Sequence, residues 1–98
     1  MLPAVYELVK ALTHEKAGVR AAAVFALGEV RDPTEAVVHG VTKTLGDPDE
    51  SVRQLAVASL ESLSRCDDEN VRRAAEEALG SAGGEAQRRL SPSGRRFR

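Results

Sequence analysis

The sequence predicts an all-α fold in which antiparallel helix pairs stack into a short α-α superhelix. Three observations predict it: apolar residues recur at helical spacing in five segments, one pattern of 12 residues occurs three times, and no segment has the features of a strand. The 98-residue chain is 42% hydrophobic and 30% charged, which fits one small globular domain. Its apolar content is mostly Ala, Val and Leu, which favours closely packed helices.

The first predicted helix carries apolar residues at helical spacing: Leu2, Val5, Leu8, Val9 and Leu12. It begins almost at Met1, with no polar cap before it. One flank of this helix would then have no neighbour in the array, so we expect a homo-oligomer that forms through the open N-terminal flank. A fragment of a longer repeat array is the alternative explanation.

The second, fourth and fifth predicted helices share a pattern that starts with Val-Arg. Its copies are VRAAAVFALGEV, VRQLAVASLESL and VRRAAEEALGSA, which start at Val19, Val52 and Val71. The first, fourth, fifth, eighth, ninth and twelfth positions of each copy are small or apolar and form one stripe along an α-helix. These residues are Val19, Ala22, Ala23, Ala26, Leu27, Val30, Val52, Leu55, Ala56, Ser59, Leu60, Leu63, Val71, Ala74, Ala75, Ala78, Leu79 and Ala82.

The third predicted helix contains Val37, Val38, Val41 and Leu45. Its start and that of the fourth helix are predicted at Asp32 and Asp47, whose carboxylates can accept hydrogen bonds from first-turn N–H groups. Each Asp is followed by a proline at the first helical position and by a glutamate three residues after the Asp: Pro33 and Glu35, and Pro48 and Glu50. Glycines predict the helix stops, at Gly46, Gly80, Gly83 and Gly84.

The repeat is incomplete at its C-terminal end. Val19 and Val52 are 33 residues apart, whereas Val52 and Val71 are only 19 apart, so the array has about two and a half repeats. The last helix carries four charged residues, Arg72, Arg73, Glu76 and Glu77. It is polar where the earlier copies have Val24 and Phe25 or Val57 and Ala58, which favours an end cap that faces water.

The segments VRAAAVFALGEV, GDPDESVRQLAVASL and VRRAAEEALG resemble HEAT repeats, particularly the HEAT-like repeats of the phycobilisome (PBS) lyase type, over residues 2–82. The resemblance implies a short HEAT-like solenoid in which the turn Asp and the Arg after Val support each other between repeats. It thereby gives structural roles to Asp47 paired with Arg53, and to Arg20 and Arg72, with Pro48 at the helix start. We expect such an Asp–Arg pair to be solvated.

The resemblance also implies a non-enzymatic scaffold that binds another protein. The second helices of HEAT solenoids line the concave face, so a shallow partner groove is expected beside the apolar stripe. The residues that would border it are Val24, Phe25, Arg31, Gln54, Val57 and Glu61. The alternative for the apolar members is core packing, because inner helices have neighbours on both sides. A second function that the resemblance implies is a lyase-like or regulatory subunit for a chromophore-bearing protein.

Charge is divided unevenly along the chain. Residues 1–82 carry 9 basic and 14 acidic residues, whereas residues 83–98 carry five arginines and one glutamate. Residues 83–98 also contain three glycines and a proline and have little apolar content, so we expect a flexible basic tail. The tail suggests electrostatic binding of nucleic acid as a third function, but the acidic body opposes it.

No metal, cofactor or catalytic site is predicted. The sequence has one His-Glu pair, His14-Glu15, in a predicted turn, and His39 has no acidic partner at helical spacing, whereas a metal needs several convergent ligands. Cys66 is the single cysteine, so we expect a free thiol, and Asp67–Asn70 is expected to cap the last helix. A leader peptide and a membrane-spanning run are absent from the sequence pattern, so we expect a cytoplasmic protein.

Overall fold

Five α-helices make up the fold, which confirms the all-α prediction. The structure is a computed structural model that describes the backbone of residues 3–90 and the side chains of residues 3–81. The helices are α1 (Pro3–Ala11), α2 (Ala17–Gly28), α3 (Glu35–Lys43), α4 (Glu50–Leu63) and α5 (Glu69–Leu90). A 3-10 turn, Thr44–Gly46, ends α3, and residues 3–90 contain no strand.

Two helix pairs stack side by side, with α5 at one end. α1 packs on α2, α3 packs on α4, and the most extensive contact joins α2 to α4. α2 and α4 therefore form the inner stack of the solenoid, as second helices do, while α1 and α3 form the outer layer. Connections of about five residues make consecutive helices antiparallel.

The core lies between these layers and contains most of the predicted stripe, but on α2 the buried side differs from the predicted one. Its largest fully buried side chains are Leu27, Leu60, Leu63, Val24, Val37, Val41, Val52 and Val71. Val24 lies off the predicted stripe yet is 0% exposed, whereas Ala22 lies on the stripe and is exposed. Ala22 faces the side of α2 that has no preceding helix pair, and Val24 faces α4. The neighbouring repeat thus decides which side of α2 is buried.

A close approach joins the inner helices α2 and α4. A Cβ atom built on Gly28 would lie 2.7 Å from Ser59 Oγ and 3.0 Å from Ser59 Cα. Ser59 Oγ in turn donates a 2.7 Å hydrogen bond to the Val24 carbonyl oxygen. The small residue at position 28 therefore allows two backbones to pack at a distance that a side chain would prevent.

The predicted caps of α3 and α4 are wrong by two residues. α4 begins at Glu50, and its N-cap is Asp49, whose carboxylate accepts hydrogen bonds from the N–H groups of Ser51 and Val52. α3 begins at Glu35 after Thr34, which makes no side-chain cap bond. Both Asp-Pro pairs lie in the turns before the helices, because the N–H groups that need acceptors belong to residues after the prolines.

The predicted stops at Gly80, Gly83 and Gly84 are also wrong. α5 continues through Gly80 and on to Leu90, and no glycine of the described chain has a positive φ angle. A glycine permits a left-handed C-cap without imposing one, and glycine in a helix costs only about 1 kcal/mol relative to alanine. The predicted boundary at residue 83 therefore falls inside α5. Residues 91–98 of the predicted tail lie outside the described residues, and the tail stays a prediction.

α5 carries the sequence pattern of a second helix but occupies a different place. It packs on both α3 and α4, and the five residues 64–68 that join it to α4 make it antiparallel to α4. α5 therefore has the direction of a first helix. Val71 and Ala75 are buried, while Arg73, Glu76 and Glu77 face water. The side chains of the described part of α5 thus have the polar outer face that an end cap requires.

Candidate partner-binding surface

Asp47 is one of the points at which hydrogen bonds join the two repeats. Arg20 donates from Nε to Asp47 Oδ2 at 2.7 Å and from Nη2 to Asp47 Oδ1 at 3.1 Å. The two side chains are 13% and 7% exposed, so this pair is largely buried, and it takes the carboxylate that was predicted to form a solvated pair with Arg53. The hydrogen bonds from Arg20 hold the pKa of Asp47 below its usual range, and Asp47 raises the pKa of Arg20. Both oxygens of this carboxylate therefore accept hydrogen bonds from within the chain.

The other residues of the predicted Asp–Arg set differ in their contacts. Arg53 donates from Nη1 to the Asp47 carbonyl oxygen at 2.7 Å, so it supports the turn through the backbone rather than the carboxylate. Arg72 is half-buried, and Pro48 is exposed between the cap and Asp47. Within residues 3–81 no hydrogen bond of the Arg72 side chain is seen. The structural roles of Arg72 and Pro48 stay predictions.

One local turn precedes all three Val-Arg helices, and sequence reasoning missed it. In each case a side chain accepts a hydrogen bond from the backbone N–H two residues later. The acceptors are His14 Nδ1 at 3.0 Å, Asp47 Oδ1 at 2.8 Å and Cys66 Sγ at 3.4 Å. The signal was present, because each acceptor stands five residues before the Val of Val-Arg. His14 and Cys66 are therefore parts of turns.

The residues considered for metal binding do not converge. Within residues 3–81 no group of three or more His, Cys, Asp or Glu side chains is placed to hold a metal ion. Asp68 Oδ1 accepts hydrogen bonds from the N–H groups of Asn70 and Val71, which confirms that the acidic run caps the last helix. His39 is exposed on α3. His14, Cys66 and Asp68 thus accept backbone hydrogen bonds at or before the starts of helices.

The six predicted partner residues separate into exposed and covered positions. Phe25 on α2 is 58% exposed, and Arg31, Gln54 and Glu61 are also exposed. Val57 is half-buried, whereas Val24 is fully buried. Val24 therefore packs in the core, as the alternative interpretation had it, and does not border a groove. Val57 is less covered than Val24 because α5 does not stack on α4 as α4 stacks on α2.

Phe25 is one of several exposed residues that follow one face of α2. On α2 the exposed positions recur every three or four residues, which places them on one face: Gly18, Ala22, Phe25 and Glu29. On α4 and just after it, exposed residues at the same spacing are Gln54, Ala58, Glu61 and Arg65. Ala58 occupies the place equivalent to Phe25, six residues after Val52. We call these eight residues the α2/α4 face.

A cleft of about 410 Å³ lies at one end of this face, between the α2–α3 connection and the α4–α5 connection. Arg31 of the predicted partner set lines it, together with Asp32, Arg65, Cys66 and Asp67. Sequence reasoning missed this cleft, because residues about 35 positions apart meet there only after α2 and α4 have stacked. It offers charged groups of both signs.

Tyr6 is the second large hydrophobic side chain that is exposed in the described structure. It lies on α1, is 55% exposed, and has Lys10 Nζ 5.5 Å from its ring centroid. Lys10 also lies 3.9 Å from Glu7. Tyr6 belongs to the outer layer, so its exposure offers a comparison for Phe25 on the inner stack. No helix of the described chain is both long and apolar enough to cross a membrane.

A family model described as HEAT repeats matches residues 5–67 of the chain. The matched region runs from within α1 to the α4–α5 connection and so contains most of α1, all of α2, α3 and α4, and the Arg20–Asp47 pair. No curated protein is detectably similar to this chain. The family match and the α2/α4 face together are the basis for a function.

Proposed function

This chain belongs to the HEAT-repeat family, and on that premise we propose that it is a non-enzymatic scaffold that binds another protein. HEAT repeats are commonly protein-interaction scaffolds. The inner helices α2 and α4 present an exposed face to the partner, and the buried polar groups of the repeat hold that face in shape. Binding of this kind requires a complementary surface on the partner and no catalytic group.

The observation that carries the proposal is the exposure of Phe25. Phe25 is 58% exposed and lies outside the hydrophobic core, and exposed aromatic side chains are favoured where a partner will cover them. Its neighbours on the α2/α4 face are small or polar, so a partner can approach the ring from above. Gln54, Val57 and Glu61 then form the rest of the contact, with Arg31 at the cleft.

Affinity capture from the source cell with three forms of the full chain tests the proposal. The forms are the natural chain, Phe25→Glu, and Tyr6→Glu as the matched control, because Tyr6 has nearly the same exposure on an outer helix. We expect a partner that Phe25→Glu loses and Tyr6→Glu retains, while circular dichroism shows all three forms to be helical. Retention of every partner by a folded Phe25→Glu chain would overturn the assignment.

Three finer proposals accompany this function. The protein acts in the cytoplasm, and its open N-terminal flank, where Ala22 is exposed, pairs two copies of the chain. Light scattering tests the pairing, which a strictly monomeric chain contradicts. The alternative of a lyase-like or regulatory subunit rests on the resemblance to repeats of the PBS lyase type. Capture of a chromophore-bearing protein through Phe25 would support that alternative.

Nucleic-acid binding through the arginines of residues 83–98 is the remaining alternative. It is favoured by their charge and opposed by the acidic residues 1–82. A titration with labelled single-stranded and double-stranded nucleic acid, at low and at physiological salt, tests it. Deletion of residues 84–98 should remove the affinity if this alternative is correct, and should leave the protein partner bound if the scaffold proposal is correct.

A further inference from the structure

One side of α2 carries a continuous apolar patch that surrounds Ala22. Gly18, Val19, Phe25 and Ala26 each stand three or four residues from Ala22, so all five positions are neighbours on the helix surface. Gly18, Ala22 and Phe25 are exposed, while Val19 and Ala26 are half-buried but neither belong to the hydrophobic core nor pack against it. We call these five residues the α2 patch.

Comparison with α4 shows why the α2 patch is open. Val52 and Ser59 of α4 are buried, whereas Val19 and Ala26, which stand 33 residues earlier, are half-buried. Ser59 faces α2, because its Oγ donates a hydrogen bond to the Val24 carbonyl oxygen. The same side of α2 has no described helix against it, so the patch lacks the cover that α4 receives from α2.

The α2 patch carries no free charge. Arg20 is the charged residue of α2, and its guanidinium donates to Asp47 and to the carbonyl oxygens of His14 and Glu15. A surface that pairs with its own copy brings like groups close together, so an uncharged patch avoids the repulsion that a charged one would meet. Charge thus selects no partner of either sign and permits a second copy.

The sizes of the patch residues fit a second copy of the same patch. Gly18 and Phe25 lie on one side of Ala22, about 20° apart around the helix, and Val19 and Ala26 lie on the other side with the same separation. Each side therefore has one smaller and one larger residue. If two α2 helices pair antiparallel about Ala22, Phe25 of each copy lies over Gly18 of the other, and Val19 lies over Ala26. A Cβ atom built on Gly18 meets nothing within 4 Å, so this place is open for a ring.

The other end of the inner stack does not offer a second copy the same kind of contact. Glu61 of α4 stands 33 residues after Gly28, in the equivalent place. A Cβ atom on Gly28 would lie 2.7 Å from Ser59 Oγ, so a glutamate in that place prevents the close approach that joins α2 to α4. α5 also packs on α3 and α4 in the place of a further first helix. Head-to-tail stacking of copies is therefore disfavoured, and a symmetric pair remains.

Resting on the proposed function, we propose that two copies of this chain pair through the α2 patch about a two-fold axis at Ala22, and that the pair does not bind the partner because it covers Phe25. The contact is one helix wide, which is smaller than the roughly 800 Å² per partner of a standard stable interface. Pairing is therefore weak and reversible. At high local concentration the chain stores its binding surface against itself, and dilution or a tighter partner releases it.

Analytical ultracentrifugation of the full chain, from about 10 μM to about 1 mM, measures the pairing. Gly18→Leu fills the place of the second copy's Phe25, and Gly80→Leu is the matched control, because a Cβ atom at either glycine meets nothing within 4 Å. Leucine favours a helix more than glycine does, so neither change should unfold the chain. We expect the natural chain and Gly80→Leu to dimerise alike, and Gly18→Leu to dimerise at least about tenfold more weakly. A natural chain that is strictly monomeric, or a Gly18→Leu chain that dimerises as well as the control, overturns the inference.

Disulfide cross-linking tests the position of the two-fold axis. Ala22→Cys and the control Ala36→Cys are each combined with Cys66→Ser, so that each chain has one thiol. Both alanines are exposed, and Ala36 lies on the outer helix α3. A residue at the axis meets its own counterpart, so Ala22→Cys should form covalent dimers at least about tenfold faster than Ala36→Cys. Equal rates contradict an axis at Ala22.

A tryptophan at position 25 reports whether pairing covers this side chain. The natural chain has no tryptophan, so Phe25→Trp introduces a single one, and Tyr6→Trp on α1 is the control of similar exposure. We expect the emission of Phe25→Trp to shift to shorter wavelength as the protein concentration rises through the dimer range, and that of Tyr6→Trp to stay constant. A dimer that leaves the Phe25→Trp emission unchanged shows that pairing does not cover this residue.

The covalent Ala22→Cys dimer separates this inference from the proposed function. We expect the reduced form to capture the partner, and the oxidised dimer to capture at least about tenfold less of it. If the dimer captures as much as the reduced form, the inference is wrong, and the scaffold proposal stands as long as Phe25→Glu loses the partner. Capture that is indifferent both to oxidation and to Phe25→Glu refutes the proposed surface itself.

Discussion

Alanine substitution at two glycines should have opposite effects on stability. A Cβ atom at position 28 would meet Ser59 Oγ at 2.7 Å, Ser59 Cβ at 2.9 Å and Ser59 Cα at 3.0 Å. Ser59 cannot simply turn away, because Oγ holds the Val24 carbonyl at 2.7 Å and the Cα atom belongs to the α4 backbone. α2 and α4 must therefore separate in Gly28→Ala.

The magnitude follows from two opposing terms. Overpacking in a well-packed interface costs roughly 1–3 kcal/mol, and the better helix propensity of alanine returns at most about 1 kcal/mol. The return is smaller at Gly28, since it is the last residue of α2. We expect Gly28→Ala to lower the free energy of unfolding by roughly 1–2 kcal/mol. Gly80→Ala is the matched control, because a Cβ there meets nothing within 4 Å, and it should stabilise by about 0.5–1 kcal/mol.

Urea unfolding followed by circular dichroism at about 222 nm measures both changes. The midpoints should move in opposite directions with unchanged slopes, since the surface exposed on unfolding is the same. Adding Ser59→Ala to Gly28→Ala removes the closest contact, so the two changes should cost less together than their separate effects predict. A Gly28→Ala chain as stable as the natural one would refute the argument that the inner helices are in contact at this glycine.

Three further predictions concern hydrogen bonds. Asp47→Asn should lower stability by roughly 1–2 kcal/mol at pH 7, because Arg20 loses its ionised acceptor. Since the pKa of Asp47 is lowered in the folded chain, its stabilisation is present above about pH 4 and is lost as the pH falls below that value. Chemical unfolding should therefore show that the free energy of unfolding falls less between pH 7 and pH 3 in Asp47→Asn than in the natural chain. Ser59→Ala should cost about 1 kcal/mol in thermal unfolding because the bond to Val24 disappears, and an unchanged midpoint would contradict this. Asp49→Ala should cost about 1 kcal/mol through loss of the α4 cap, whereas a role of Asp47 as the cap would leave Asp49→Ala unchanged.

Local features of the chain predicted the helices well. The spacing of Val37, Val38 and Val41 predicted α3, and all three residues are buried there. Caps were displaced because an Asp-Pro pair suits both a helix start and the turn before it. The difference depends on which N–H groups lack acceptors once the turn has closed. Asp47 was thereby assigned to a cap although its carboxylate binds Arg20 from the preceding repeat.

The candidate site was predicted only in part, because helix spacing shows which residues lie off the apolar stripe but not which of them a neighbouring helix covers. Phe25, Gln54 and Glu61 are exposed as expected, because their positions on the helix leave them outside the stripe. Val24 also lies outside the stripe but is covered by α4, and its burial depends on the distance that Gly28 and Ser59 allow. The cleft beside Arg31 and Arg65 likewise arises from two connections that meet only in the stacked array.

The sequence by itself determined an all-α repeat domain, because apolar residues at helical spacing specify which segments can form helices that bury one side. The tertiary structure alone decided which side of each helix a neighbour covers. Ala22 is open and Val24 is closed because α4 packs on one side of α2 and no described helix packs on the other. The place of α5 was decided in the same way. Its Val-Arg start matches that of α2 and α4, yet a five-residue connection turns it back along α4 and beside α3.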